Sequence, residues 1–595
     1  TGLKAGLKEV SCGERKKGKV WFTKELANLR KELHRRESEW LRSRAWEDRK
    51  QMRSKYLEMR QTYSKAVRRV KRSYQRRTRD KLEQELKCPK KFWKSVKKMN
   101  VGHKKRGVCD LLEVYDEDGN IKTGDEAVKV WKEHFVKVLG ASNEATVDGE
   151  EQTDENMDGK SCTKGLDFSE RLCQSIFREE VAWALEKVKR DTAPGKDGVT
   201  VDMMSAEVLF DVWCALFEVC WEYGLVPSVW KESLVVPVPK KQSRGTCATN
   251  TYRGISLTST VSKVLCMILN ARLSDVAERE GLITEEQGGF RKQRGCRDQV
   301  LALVLLGQTE MVRADRGMLV AFIDFAKAYD KVDRGKLWRC LEQLGVNGRF
   351  LRFLKALYQD SSCRVRVHDR LSEEFEVGTG LRQGCVLSPL LFSLYINGVV
   401  TRLHEGKCGV QCGGDMVLGL LFADDTSLVA SDREGLTRSL DVLVKWCEEW
   451  GVKINVGKSG IMHMRKKTVE RCEVEYEVDG EVIPMVSSYR YLGCVIDEHL
   501  QLKEMVEEKA SAGRRALGAW MNRCKTEVGD VGVGTFKKLM SALVDSVMLY
   551  GAEIWGCSRW LEALERVQLH AFHMFFGVGT LHPKVSLMME MECNL

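Results

Sequence analysis

Two adjacent carboxylates, Asp424 and Asp425, stand in the middle of an apolar run over residues 418–430. The run predicts two short strands around a tight turn. A carboxylate that leaves water needs a partner, and no Lys or Arg lies among the near neighbours in this segment. A divalent cation would supply the missing positive charge. The same pattern also fits a surface hairpin turn, and this segment alone does not separate the two interpretations.

A third carboxylate, Asp324, ends another apolar strand, which is predicted over residues 318–324. A helical pattern begins directly after it, in residues 325–330. Two divalent ions about 3.5–4 Å apart can clamp the attacking and leaving oxygens of a phosphoryl transfer. Mg²⁺ is usually held by a few carboxylates together with the substrate phosphates. The three carboxylates therefore predict a two-metal site for phosphoryl chemistry.

Three segments, two of which contain these carboxylates, follow one another along the chain: DFAKAYD at 324–330, GLRQGCVLSP at 380–389 and FADD at 422–425. They resemble motifs A, B and C of a reverse transcriptase, in the wording of the non-LTR retrotransposon (LINE-like) enzymes. Further segments of the same pattern lie at residues 193–198, 236–241, 252–257, 287–291, 454–458, 491–493 and 550–555. The resemblance extends from about residue 168 to the C-terminus. Two positions depart from it, since Gly288 stands where the family often has Phe, and Gly254 where Pro is frequent.

The resemblance implies a role for each matching residue. Asp324 and Asp424 would be the principal ligands of two Mg²⁺ ions, with Asp425 assisting and Mn²⁺ as a possible substitute. Tyr329 would form an aromatic wall under the sugar that excludes a 2′-hydroxyl; as an alternative, it is a core aromatic on a first helical turn.

The other implied contacts to the incoming dNTP come from Phe325, Arg253, Gln383, Gly384 and Lys458. Gln383 and Gly384 would form the turn beneath the template and incoming base, where a glycine allows close backbone approach. Arg253 would bind the triphosphate, with Lys240 as a weaker second candidate. Lys458 would neutralise departing pyrophosphate; a solvated loop lysine is the alternative.

Net charge is +12, but it is unevenly distributed. Residues 1–100 hold 33 Lys and Arg against 12 Asp and Glu, whereas the remainder holds 64 against 73. A long helical pattern over residues 21–87 carries the densest basic runs, and it predicts an arm that tracks nucleic-acid phosphates with aromatics that stack on bases. The predicted binding residues are Arg68, Arg69, Lys71, Arg72, Arg76, Arg77 and Arg79. The alternative is a solvated helical hairpin whose aromatics only hold its two helices together.

These patterns predict an α+β chain in four parts. Residues 1–140 form a basic helical nucleic-acid-binding extension, and residues 141–166 an acidic flexible linker. Residues 167–498 form the fingers and ferredoxin-like palm of a right-hand polymerase, and residues 499–595 a helical thumb. Within the body, a helix is expected over residues 168–188 and a strand over residues 452–456. No run of eighteen apolar residues appears, so we expect no membrane and an intracellular location, cytoplasmic or nuclear.

The predicted function is an RNA-directed DNA polymerase of a non-LTR retrotransposon. It would transfer nucleotides from dNTPs to a primer 3′-hydroxyl, with element RNA as template and target DNA as primer. The alternative is a catalytically inactive or domesticated RNA-binding scaffold derived from such an element. Three intact aspartates argue against it, because a scaffold has no need for an unneutralised acidic cluster. A group II intron or telomerase-type polymerase is disfavoured by the wording of the finger motifs.

Overall fold

The computed structural model describes residues 21–43, 45–98, 111–116, 118–140, 167–190, 192–240, 247–313, 316–406 and 409–579. The predicted acidic linker, residues 141–166, lies outside these described residues. Helices and strands are both abundant, as expected for an α+β chain. None of the helices in the described ranges is long and apolar enough to cross a membrane.

The helices, numbered along the chain, are α1 Lys24–Arg42, α2 Trp46–Glu85, α3 Pro89–Lys98, α4 Asp125–Leu139, α5 Ser169–Leu172, α6 Arg178–Lys187, α7 Val201–Met204, α8 Glu207–Tyr223, α9 Ser228–Lys231, α10 Thr260–Arg279, α11 Cys296–Arg313, α12 Arg334–Gln343, α13 Gly348–Tyr358, α14 Ser388–Gly406, α15 Arg433–Trp450, α16 Lys503–Glu527, α17 Val533–Met540, α18 Ser546–Met548, α19 Ala552–Trp555 and α20 Glu562–Phe576. The strands are β1 Glu113–Tyr115, β2 Ile121–Thr123, β3 Glu232–Pro239, β4 Tyr252–Leu257, β5 Met318–Ile323, β6 Ser362–Val367, β7 Arg370–Leu371, β8 Phe375–Glu376, β9 Val410–Cys412, β10 Asp415–Val417, β11 Gly419–Phe422, β12 Asp425–Ala430, β13 Gly460–Met464, β14 Glu477–Val478, β15 Glu481–Val482, β16 Ser488–Tyr491 and β17 Cys494–Asp497.

The chain divides into two compact units. One, the terminal unit, contains residues 1–104, 506–550 and 559–595, and the other, the central unit, contains residues 105–505 and 551–558. This division does not coincide with the boundaries expected from the sequence. The described residues 111–140, which were grouped with the basic arm, belong to the central unit, and the basic arm shares a unit with C-terminal helices.

A four-stranded antiparallel sheet lies at the centre of the central unit, in the order β11-β12-β5-β13. All six residues of β5 are buried, which explains why this strand is a continuous apolar run. On α15, Leu436, Leu440 and Leu443 are fully buried in the core that includes β5 residues, as their helical spacing predicts. With the helices between them, the four strands follow a β-α-β-β-α-β order.

A second sheet has the order β4-β3-β6-β7, with β8 paired to β6. The helix α4 packs on this sheet, where Trp131 and Phe135 share a core with Val235 and Tyr252. The rings of Trp131 and Tyr252 meet edge to face, with centroids 5.0 Å apart. A Cβ at Gly254 would lie 2.6 Å from Cε1 of Phe135, so the absence of a side chain at this position allows the close approach of α4 to β4.

The terminal unit is helical in its described residues. The helices α1 and α2 form an antiparallel pair in which Trp40 and Tyr56 stack on each other, with centroids 5.3 Å apart. Near the end of α2, Gln75 donates to the carbonyl of Lys525 at 3.1 Å, and Lys538 donates to the carbonyl of Leu86 at 2.8 Å. The predicted helical arm is therefore packed against C-terminal helices.

Three expected elements differ in the structure. Residues 452–456 form no strand, because the segment makes one isolated bridge, from Ile454 to Phe325, and the strands paired with β5 are β12 and β13. The helix expected over 168–188 is two helices, α5 and α6, since Phe177 has an extended backbone and Glu180 caps its N–H. The helical pattern after Asp324 is a turn followed by one short 3₁₀ segment, Ala328–Lys331.

Candidate active site

The two adjacent carboxylates lie at a hairpin turn, as predicted. The strands β11 and β12 pair through Phe422 and Asp425, so Ala423 and Asp424 form a two-residue connection. Ala423 has a φ of 59°, a left-handed conformation that is unusual for a residue with a side chain. On the neighbouring strand β5 the ladder ends at the pair Thr426–Ile323, which brings Asp425 beside Asp324 at the same end of the sheet.

The hairpin turn is held by a buried glutamine from a distant segment. The side chain of Gln287 is fully buried, and its Oε1 accepts hydrogen bonds from the backbone N–H groups of Ala423 at 2.9 Å and Gly289 at 2.8 Å. Its Nε2 donates to the carbonyl of Ala423 at 3.4 Å. A Cβ at Gly289 would overlap the backbone nitrogen of Ala423. The Gln287–Gly289 segment therefore fixes the backbone that carries Asp424.

Asp324 is oriented by the loop before β13. Asn455 donates from Nδ2 to Oδ2 of Asp324 at 3.0 Å, and its backbone N–H donates to the carbonyl of Asp324 at 2.8 Å. Lys458 lies 3.4 Å from the same Oδ2. The backbone N–H of Asp324 donates to Oγ of Ser459 at 3.2 Å. The carboxylate is thus held at the sheet end with one cation beside it.

The carboxylates repel one another in the absence of cations. Partial burial of its carboxyl group, together with the charges of Asp424 and Asp324, raises the pKa of Asp425 to about 6. Burial raises the pKa of Asp424 as well, and Asp324 adds to the effect, whereas Arg253 and Lys458 oppose it. A site that disfavours its own ionisation gains from a bound divalent cation.

A donor set of carboxylate oxygens without thiol or imidazole is of the kind that Mg²⁺ prefers, so these residues fit that ion. No group of three Asp, Glu, His or Cys side chains converges as a ready metal site within the ranges that the structure describes. The assignment of Asp324, Asp424 and Asp425 as metal ligands stays a prediction. Members of the reverse transcriptase family generally use divalent metal ions.

A cleft of about 600 Å³ opens beside the carboxylates, which is a size typical of small-ligand sites. It brings together Asp324, Asp424 and every residue that the sequence predicted to contact dNTP. Those residues are Arg253, Phe325, Tyr329, Gln383, Gly384 and Lys458. Asp425 is not among the lining residues and is exposed at the start of β12.

Tyr329 forms a rigid part of the cleft wall. Its ring stacks on Phe392 with centroids 4.2 Å apart and planes 18° apart, and the ring of Phe290 meets it edge to face at 6.5 Å. The Tyr329 hydroxyl is buried, it has no hydrogen-bond partner among the residues that the structure describes, and burial raises its pKa. The side chain is thus both packed and exposed to the cleft, so the two interpretations of Tyr329 are compatible.

Gln383 and Gly384 form a tight turn against β4. Nε2 of Gln383 donates to Oδ1 of Asp330 at 2.7 Å, and its carbonyl accepts from the backbone N–H of Ser256 at 2.8 Å. Gly384 has a φ of 121°, and a Cβ there would lie 2.6 Å from the Ser256 carbonyl oxygen. Only glycine fits this turn without displacing β4.

Five Lys and Arg residues of the described part of the chain line the cleft: Lys240, Arg253, Lys327, Arg382 and Lys458. Arg253 is exposed, and Lys240 donates to the carbonyl of Asn250 at 2.8 Å. Burial and the charges of Lys458, Arg253 and Lys327 lower the pKa of Lys240. The mutual repulsion of these groups favours a multiply charged anion in the cleft.

The predicted nucleic-acid-binding residues lie on the second half of α2, in the terminal unit. Arg68, Arg69, Arg72, Arg76 and Arg77 are exposed, and Lys71 and Arg79 are half-buried. Among the described residues, only Arg79 of these seven has an acidic partner within 4 Å, which is Asp80 at 3.8 Å. On α1, by contrast, Glu32 pairs with both Arg35 and Arg36. The aromatics Trp40 and Tyr56 stack on each other, as in the alternative interpretation of the arm.

Three residues of this site had no role assigned from the sequence: Gln287, Asn455 and Asp330. Gln287 lies in QGGFR and Asn455 in INVGK, two segments that resemble the family. Their position in these segments is the sequence feature that could have indicated a role in the site. Asp330 ends the segment DFAKAYD, is buried beneath Gln383, and its pKa is raised by that burial. Each acts by holding a residue that was predicted.

Comparison with known proteins agrees with this geometry. The family described as reverse transcriptase (RNA-dependent DNA polymerase) matches residues 238–496. The segment contains β5, the β11–β12 hairpin and all six predicted dNTP contacts, and the resemblance to non-LTR retrotransposon polymerases is confirmed.

Relatives that match this chain come from mobile elements. The RNA-directed DNA polymerase from mobile element jockey of Drosophila melanogaster is 23% identical over 393 residues, which are 64% of this chain and 42% of that protein. The Pol polyprotein from the type-1 retrotransposable element R2 of Nasonia vitripennis is 26% identical over 336 residues, 55% of this chain and 32% of that protein. This chain thus spans less than half the length of these relatives. The scaffold alternative is not favoured.

Among solved structures, apo telomerase from Candida Tropicalis is similar at 12% identity and a TM-score of 0.33, covering 62% of this chain and 68% of that chain. The similarity to reverse transcriptases therefore depends on the sequence match and not on this structural likeness.

Proposed function

We propose that this chain is an RNA-directed DNA polymerase that copies element RNA into DNA from the 3′-hydroxyl of a DNA primer. The observation that carries the proposal is the single cleft in which Asp324 and Asp424 face Arg253, Tyr329, Gln383 and the other predicted dNTP contacts. The match of residues 238–496 to reverse transcriptases supports the same reaction.

In the proposed reaction, the primer 3′-hydroxyl attacks the α-phosphate of a dNTP, and pyrophosphate leaves. Asp324 and Asp424 would hold two Mg²⁺ ions, or Mn²⁺, with Asp425 assisting. When bound, such ions neutralise charge on the attacking and leaving oxygens. Asn455 keeps the Asp324 carboxylate in place, and Gln287 keeps the backbone of Asp424 in place. Positioning of this kind contributes a large part of the rate in nucleotidyl transfer.

The remaining cleft residues would bind and select the nucleotide. Arg253 offers a guanidinium to the triphosphate, which can form bidentate hydrogen bonds with phosphate oxygens. Lys458, beside Asp324, is placed to neutralise departing pyrophosphate. Tyr329, backed by Phe392, would block a 2′-hydroxyl, and Phe325 would complete the floor of the sugar site. Gln383 and Gly384 would support the base and template.

The proposed layout is that of a right-hand polymerase. The β11-β12-β5-β13 sheet would be the ferredoxin-like palm, β3 and β4 part of the fingers, and the helices beyond residue 499 the thumb. The unpaired cations of α2 would track phosphates of RNA or DNA, since cations without internal partners can release counterions from a nucleic acid.

Primer extension on poly(rA)/oligo(dT) with dTTP and Mg²⁺ tests this proposal. Wild type should extend the primer, and the double variant Asp424→Asn, Asp425→Asn should lose activity by at least about a thousandfold, because both carboxylates at the turn lose their charge. The variant Asp415→Asn, which changes an exposed carboxylate on β10, is the matched control and should extend normally.

A folded wild type that binds the duplex but never extends it with any divalent ion would overturn the proposal in favour of a binding scaffold. Equal extension by wild type and the double variant would mean that the site is wrongly assigned.

A further inference from the structure

The helix α4 lies outside the segment that matches reverse transcriptases, yet it contributes to the nucleotide cleft. His134, Phe135 and Val138 line the same cleft as Asp324, Asp424 and Arg253. Phe135 and Val138 are buried, whereas His134 is partly exposed. Phe135 belongs to the core on the second sheet, and His134 does not.

His134 is held in position by aromatic neighbours and not by hydrogen bonds. Its ring meets Phe135 edge to face, with centroids 5.1 Å apart, and Trp131 likewise at 6.3 Å. Trp131 is in turn fixed by a hydrogen bond from its Nε1 to the carbonyl of Leu111 at 2.9 Å. In the part of the chain that the structure describes, neither ring nitrogen of His134 has a hydrogen-bond partner, so the ring keeps a free donor for a ligand.

The surroundings of His134 in the cleft are cationic. Lys240 and Lys327 line the cleft with it, and Lys137 follows one turn later on α4. Burial and the positive charges of Lys327, Lys240 and Lys137 lower the pKa of His134 to about 4, so its ring is neutral in the absence of a ligand. A neutral imidazole among lysines offers an N–H to an anion without adding to their repulsion.

We propose that His134 is a contact for the triphosphate of the incoming nucleotide, supplied by α4 to the cationic side of the cleft. The inference rests on the proposed function, because it takes the ligand of the cleft to be a dNTP. A nucleoside triphosphate carries the multiple negative charges that Lys240, Arg253, Lys327 and Lys458 require. The imidazole N–H donates to a phosphate oxygen, and no bond is made or broken in this contact.

The test is steady-state primer extension by the full chain with varied dTTP. His134→Ala should raise the KM for dTTP about tenfold, while kcat stays within about twofold and the Kd for primer–template is unchanged. Tenfold corresponds to about 1.4 kcal/mol, within the range of a hydrogen bond to a charged group. His134→Gln retains an N–H donor and should recover most of the loss, whereas His134→Phe retains the packing and should not.

Glu133→Ala, one residue earlier on the exposed side of α4, is the matched control and should keep the wild-type KM. An unchanged KM in both His134→Ala and His134→Phe would overturn the inference. So would an equal fall in primer–template affinity, which would place nucleic acid and not the triphosphate at α4. If His134→Ala is destabilised, the comparison of His134→Gln with His134→Phe decides alone.

A second readout separates this inference from the proposed function. Inorganic tripolyphosphate should raise the thermal unfolding midpoint of wild type and of His134→Gln, and raise that of His134→Phe less. If wild type does not extend primers but this difference is found, the polymerase proposal fails and the anion contact stands. If tripolyphosphate stabilises all three proteins equally, His134 makes no contact with the triphosphate even in an active enzyme.

Discussion

The buried side chain of Gln287 is predicted to control both stability and catalysis through the Ala423–Asp424 turn. In Gln287→Ala, the backbone N–H groups of Ala423 and Gly289 lose their acceptor at a fully buried position. An unsatisfied buried donor costs roughly 1–3 kcal/mol, so two of them with a new cavity should cost about 3–5 kcal/mol. The turn also holds Ala423 at a φ of 59°, which the freed backbone would relax.

Relaxation of the turn moves Asp424, and a displacement near 1 Å of a group in a nucleotidyl-transfer site can cost about a hundredfold in rate. Urea unfolding and primer-extension kcat measure the two effects. Gln299→Ala is the control, because Gln299 is also buried and donates to the carbonyl of Glu286 at 3.2 Å, and among the described residues no hydrogen bond joins it to Ala423 or Asp424. It should lose about 1 kcal/mol with kcat near wild type. A Gln287→Ala protein with the unfolding midpoint and kcat of wild type would refute the reasoning.

Two further predictions concern the cleft. Tyr329→Ala removes the ring that stacks on Phe392. We therefore expect the ratio of kcat/KM for dTTP to kcat/KM for UTP to fall by at least about tenfold. An unchanged ratio would mean that Tyr329 serves only in core packing. The variant Asp424→Asn, Asp425→Asn should be more stable than wild type in EDTA at pH 7, because folding raises the pKa of both carboxyls and their ionisation therefore destabilises the folded state. For Asp425 the gain in the free energy of unfolding is roughly 1 kcal/mol after allowance for its exposure. This gain should develop as the pH rises from the ordinary pKa near 3.8 to the folded value of about 6. Urea unfolding that shows the same difference between the variant and wild type at pH 4 and at pH 7 would contradict the prediction.

The strands that carry the acidic residues were predictable because each is a strong local pattern. The strand β5 is a continuous apolar run buried on all sides, and the β11–β12 hairpin is a run broken only by its acidic turn. The confirmed family resemblance then brought Arg253, Gln383 and Lys458 to the same cleft as the carboxylates. Local patterns and family motifs together therefore predict which residues line the cleft.

The supports of the site were not predictable in the same way, because they depend on contacts between distant segments. Gln287 meets Ala423 across 136 positions of the chain, and Asn455 meets Asp324 across 131. The sequence of neither segment indicates which backbone group the amide side chain of Gln287 or Asn455 will contact. The expected strand at 452–456 failed for the same reason: this segment is apolar enough for a strand, but its hydrogen bonds go to Asp324 and a single bridge at Phe325.

The position of α4 illustrates how a departure from a family pattern can carry structural information. Gly254 stands where Pro is frequent in the family. In the structure, the ring of Phe135 occupies the space that a Cβ at this position would need. The close approach of α4 places His134 in the cleft beside residues of the segment that matches reverse transcriptases. A glycine on β4 and a histidine more than a hundred positions earlier thus belong to one feature, in which α4 completes the wall of the cleft.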